Sequence, residues 1–116
     1  MQVSRMERTK MNNAYISGPI TGVKDFNKPL FDKTAKRWRD AGWTVTNPHD
    51  LDNGDYSRNW VFYLRRDIKA LMDCDVLVEL PDSFLSPGAQ LERHIAERLG
   101  MPIYGHNYVH APSGKN

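Results

Sequence analysis

Two carboxylates and one glycine-rich loop have residue types and spacings that could do chemistry. The stretch SPGAQLE, residues 86–92, opens a helical segment with Pro87, Gly88 and Ala89. A helix begun this way leaves its first free amides stripped of side-chain bulk, so they can face an anion or a sugar. Glu92 lies about one and a half turns further on. Ala89, Glu92 and Ala96 share a face bordering an expected core stripe of Leu91, Ile95 and Leu99, which puts Glu92 at a cleft rim where partial desolvation tunes its pKa upward. The plainer alternative is a solvated helix glutamate, like Glu97. In NWVFYLRRDIKALMDCD, residues 59–75, Tyr63 and Asp67 stand four apart, so an aromatic surface and a carboxylate can point together at a ligand. Equally, Asp67 can pair with Arg66 or Lys69. The third stretch, AYISGPITG, residues 14–22, runs apolar and then turns into glycine, proline and small hydroxyl residues. Such a loop lets a ligand approach the backbone, with Ser17 and Thr21 offering hydroxyls and amides. Taken alone it also reads as a tight turn. Neither GK[ST] nor G-x-G-x-x-G accompanies it, so it is not a triphosphate loop or a dinucleotide fingerprint.

These residues need a frame. Residues 14–17 form a short apolar run stopped by glycine and proline, the pattern of a strand buried on both faces. Over 29–41, Leu30, Thr34, Ala35, Trp38 and Ala41 recur at helical spacing, with Gly42 as a C-terminal cap. WTVTNP supplies a second strand and HDLDNGDYS a turn-rich loop. From Ser57 onward, Trp60, Val61, Leu64, Ile68, Leu71 and Met72 make another helical stripe. DVLVEL is the clearest buried strand, with Asp73 and Asp75 expected to tie its start. Ser86 is the expected N-cap of the next helix, with Pro87 at its first position and Gly100 closing it. MPIYGH is a fourth strand. Alternating strands and helices with short connections predict an α/β, doubly wound parallel sheet of four to five strands, Rossmann- or flavodoxin-like, with helices on both faces. Ligands in such sheets bind at the carboxyl ends of the strands, where SGPITG sits.

The chain has 116 residues, 40% hydrophobic and 26% charged, with a formal net charge of +2. These values argue for one globular domain, over residues 13–109, between a polar leader (1–12) and a polar tail (110–116). No apolar run approaches the roughly 18 residues of a spanning helix, so neither a membrane partner nor a signal peptide is expected, and a cytoplasmic location follows. Several basic residues lie near the ends (Arg5, Arg8, Lys10, Lys115), and no nucleic-acid partner is expected. Cys74 is alone, which excludes an intrachain disulfide. His49, His94, His106 and His110 are scattered and suggest no metal site. Trp38 and Trp43 read as core or interface aromatics.

Taken in order, YISGPITG, NP, W…Y…D, CDVLVEL, S-x-G-x-x-x-E and LGMPI resemble the nucleoside 2-deoxyribosyltransferase-like family, which includes nucleoside 5'-monophosphate N-glycosidases, and especially its small bacterial and phage branch. The resemblance covers residues 13–104. It implies cleavage or transfer at the N-glycosidic bond of a (deoxy)ribonucleoside or its 5'-monophosphate, with Glu92 as nucleophile, Asp67 handling base protonation and Tyr15 orienting the nucleophile. It also implies a small-molecule nucleoside or nucleotide partner and a homodimer or higher homo-oligomer, with no metal or organic cofactor. The chemistry is sound: an oxocarbenium-like state can be trapped as a glycosyl ester by a carboxylate on one face, while an acid makes the leaving base neutral. Two carboxyls in different environments divide such roles. Ser17, Gly18, Pro19, Ile20, Tyr63, Ser86, Gly88 and Ala89 are the expected substrate-binding residues. The transferases carry aspartate where Ser86 stands, whereas the monophosphate hydrolases carry serine, which tilts preference toward a nucleotide. Alternatives are a non-catalytic nucleotide-binding module and a glycosidase acting on another ribosylated metabolite, such as a dinucleotide.

Overall fold

The computed structural model describes residues 12–52 and 57–112. The expected leader up to residue 11 and the last four residues of the expected tail lie outside the described residues, as do 53–56 of the turn-rich loop. Four strands form one parallel sheet: β1 (Asn13–Ser17), β2 (Thr44–Thr46), β3 (Val76–Glu79) and β4 (Ile103–Gly105), in the order β2-β1-β3-β4. β1 and β3 are central, and β2 and β4 form the two outer edges. Three α-helices cover the sheet: α1 (Lys28–Asp40), α2 (Trp60–Leu71) and α3 (Pro87–Arg98). The expected α/β architecture with helices on both faces is what the chain adopts.

Period-2 alternation sorts the central strands between two cores. Ala14, Ile16, Val76 and Val78 point to one face, against Phe31, Ala35 and Trp38 of α1. Tyr15 and Leu77 point to the other, against Leu71 of α2 and Ala96 of α3. Asn59 caps α2, its side chain accepting from the Phe62 amide at 2.9 Å. Ser86 caps α3, with Oγ accepting from the Ala89 amide at 3.2 Å. Asp75 ties the start of β3 as expected, accepting from the Asn13 amide at 2.9 Å. Trp38 and Trp43 are buried, and their indole N–H groups donate to the carbonyls of His106 and His110, fastening the chain beyond β4 across α1.

One expectation needs correction. The stripe Leu91, Ile95 and Leu99 is not the core face of α3: Leu91 and Leu99 are exposed, and Ala89, Glu92 and Ala96 face the sheet instead. On α2, Asp67 and Leu71 are buried while Trp60 and Val61, and Met72 at its C-cap, stay exposed. Small residues let α3 lie close to the strands, and a helical apolar period alone does not say which stripe meets the core. Gly18 also carries a packing constraint. A Cβ there would stand 2.7 Å from the Cβ of buried Leu80, so strand-end packing by itself demands a glycine.

Candidate active site

Tyr15 and Ser17, two residues apart on β1, project to the same face. α3 crosses that face and lowers Glu92 between them. The Tyr15 hydroxyl donates to Glu92 Oε2 at 2.7 Å, and Ser17 Oγ donates to Oε1 at 2.6 Å. Both oxygens of a carboxylate that is 5% exposed are thus held by short hydrogen bonds from one strand. Burial pushes the Glu92 carboxyl up to about 7. The Ser17 and Tyr15 hydrogen bonds oppose that rise, and nearby Asp67 adds to it. Burial and the Glu92 charge push the Tyr15 phenol well above its ordinary value, so it remains a donor.

A cavity of about 420 Å³ opens beside this carboxylate. Asp67 reaches it from α2, buried, with its carboxyl raised to about 6 by desolvation against the opposing pull of Arg66. Arg66 Nη2 and Nε donate to Asp67 Oδ1 at 2.7 and 3.0 Å, while Arg66 Nη1 donates to Asp52 Oδ1 at 2.5 Å. Of the partners the sequence offered Asp67, Arg66 is the one engaged. Phe26, Phe31, Trp60 and Tyr63 contribute aromatic surface to the cavity. Phe26 is set there by three consecutive residues with left-handed backbone, Asp25, Phe26 and Asn27, at φ of 55°, 54° and 61°. Such a run costs on the order of 1 kcal/mol per residue. It is pinned by Asn27 Nδ2 donating to the Pro19 carbonyl and His49 Nε2 donating to that of Phe26, each at 2.9 Å.

Of the residues singled out from sequence, Tyr15, Gly18, Ile20, Tyr63, Asp67, Ser86, Gly88, Ala89 and Glu92 all border the cavity. Ser17 reaches it only through Glu92, and Pro19 borders a neighbouring groove instead. Sequence reasoning missed Asp52, His49 and Phe26. The first two sit just after β2, at the strand end where the sheet topology places ligands, which was the available signal. Among the described residues no three His, Cys, Asp or Glu side chains converge to hold a metal ion, and no helix is long and apolar enough to cross a membrane.

Desolvating Glu92 links stability to pH. Because the folded-state value is raised above 4.5, its contribution to stability is fully present below pH 4.5 and is lost as pH rises through about 7. Glu92→Gln should therefore gain stability relative to the parent as pH rises, by on the order of 3 kcal/mol across that window. Urea unfolding of both proteins at pH 5 and pH 8 reads this; the same difference at both values would contradict a desolvated carboxylate.

A family model described as a domain of unknown function (DUF4406) matches residues 12–105. No curated protein matches the chain. Among solved structures, a 2-deoxyribosyltransferase from the psychrotolerant bacterium Bacillus psychrosaccharolyticus is similar at a TM-score of 0.65 and 18% identity, over 80% of this chain and 70% of that one. A 2-deoxyribosyltransferase from Leishmania mexicana is similar at 0.63 and 18% identity, over 81% of this chain and 63% of that one, so the chain spans less than two thirds of that relative's length. At this identity the likeness shows the shared fold.

Proposed function

Since the chain belongs to the domain-of-unknown-function family DUF4406, whose description names no activity, its chemistry rests on the site, and we propose that it cleaves or exchanges the N-glycosidic bond of a nucleoside or its 5'-monophosphate. The observation that carries this reading is Glu92, buried, held at both oxygens by Tyr15 and Ser17, and bordering the same cavity as Asp67. Glu92 attacks C1' as the bond to the base nitrogen breaks, and Asp67 delivers its proton to that nitrogen, so the base departs neutral. A glycosyl ester on Glu92 remains. Water or a second base then attacks C1', frees the carboxylate and returns a proton to Asp67. The two donors from β1 oppose the rise of the Glu92 carboxyl and fix its direction; with Glu92 raised to about 7 and Asp67 to about 6, the reactive form, Glu92 ionised and Asp67 protonated, is a minority species most populated between those two values. The shared fold of the two 2-deoxyribosyltransferases supports the same reading.

The test is a panel of ribo- and deoxyribonucleosides and their monophosphates, with and without a free acceptor base, followed by chromatography. Base release is expected, and its dependence on acceptor separates transfer from hydrolysis. Silence across the panel with ligand-induced thermal stabilisation intact would favour a binding module instead.

We further infer that a second copy of the chain covers the outward-facing Val61 on α2 and Leu91 on α3 together with Met72 and Leu99, the residues that cap the C-termini of those helices. Four large apolar side chains exposed by 38 to 57% on two adjacent helices and their C-caps support a buried fate in an assembly. Sedimentation at micromolar concentration should show a dimer or larger species that Val61→Lys shifts toward monomer; a monomeric parent protein would refute this.

A further inference from the structure

Asp67 is an acid held by one hand. Among the described residues, every hydrogen bond to it ends on Oδ1, where Nη2 and Nε of its own neighbour Arg66 converge. That guanidinium is shared. Its Nη1 goes to Asp52 Oδ1 at 2.5 Å, and Nη2 also reaches the Pro48 carbonyl at 3.3 Å, both in the turn that follows β2. Arg66 and Asp52 are themselves largely buried, their side chains 22% and 9% exposed. The second Asp52 oxygen stands 3.8 Å from His49 Nδ1. His49 Nε2 carries its proton to the Phe26 carbonyl, and burial keeps the ring below its ordinary pKa, so Nδ1 is bare and does not neutralise Asp52.

We propose that Asp52 and Arg66 are positioning residues for Asp67: the Arg66 fork fixes the carboxyl through Oδ1 and leaves Oδ2 for the substrate, and Asp52 draws off enough of the guanidinium charge that Asp67 can hold a proton. This rests on Asp67 being the acid of the proposed reaction. A full Arg–carboxylate ion pair would bind Asp67 too tightly as an anion to donate. Asp52 counters that by adding a negative charge and by competing for the same cation. The other groups facing Asp67 are Glu92 from α3 and the neutral Tyr15 phenol from β1; Tyr15 is kept throughout the test below, and the Glu92 charge is removed alike from every protein whose Asp67 titration is compared.

The test measures the Asp67 titration itself, by carboxyl-carbon NMR, in a Glu92→Gln background where it titrates without its partner. Asp52→Asn, close to isosteric, should lower the Asp67 midpoint by about one pH unit, and Arg66→Gln should raise it by a similar amount. In otherwise unaltered protein, where Asp67 titrates below Glu92 and so sets the acidic limb of kcat/KM against pH, that limb should move in the same two directions, and Arg66→Lys should bring the midpoint back toward the parent value. Either folded variant suffices: an unchanged midpoint, or one moving the opposite way, overturns the proposal. The NMR readout needs no turnover, so a protein that releases no base would refute the function while leaving this result standing.

Discussion

Glu92→Gln is expected to slow base release by roughly 10⁴-fold or more while substrate affinity changes by only a few-fold. The amide has nearly the shape of the carboxylate but cannot attack C1', so the loss falls on the chemical step. The pocket should survive it. Oε1 of the amide can accept from one of the two β1 hydroxyls, and the Ser17 hydroxyl can turn to accept from the amide nitrogen. Glu92→Ala would confound the result by opening a hole beneath α3. Single-turnover chromatography gives the rate and thermal shift the binding. Intact-mass measurement should find a sugar adduct on the parent protein with a slowly turned-over substrate and none on the variant. Base release persisting in the variant within tenfold of the parent would remove Glu92 from the chemistry.

Asp67→Asn is expected to cost about 10²- to 10⁴-fold in kcat, the usual worth of a positioned general acid. Its signature is dependence on the leaving group. A base that departs readily as an anion needs little protonation, so the deficit should shrink along a series of bases of increasing acidity. The asparagine can still accept the Arg66 fork at Oδ1, so α2 keeps its place. A deficit that is the same for every base would assign Asp67 to binding rather than proton transfer.

The frame around these residues was legible because its signals are local. Proline and glycine punctuate the strands, Ser86 announces α3, and alternation without long loops predicts a parallel sheet. The convergence on Glu92 was legible only in part. Period-2 spacing places Ser17 on Tyr15's face, yet nothing in the residues alone says that α3 crosses there, 75 positions later. The apolar stripes misled for a physical reason: Leu91 and Leu99 satisfy a helical period as well as Ala89 and Ala96 do, and only packing distance decides which pair turns inward. The Asp52–Arg66 pair was invisible because no helical or strand period relates two side chains 14 residues apart on separate segments.

The shape of the sheet also bears on how this chain fails. Each outer edge, at β2 and at β4, offers only three residues of strand. So little open backbone is a poor template for another chain to zip onto, and edges this short are one way in which native sheets avoid growing into fibrils. The self-association proposed above uses the helical outer surface instead, where contacts would be made by side chains and could be undone by changing one of them.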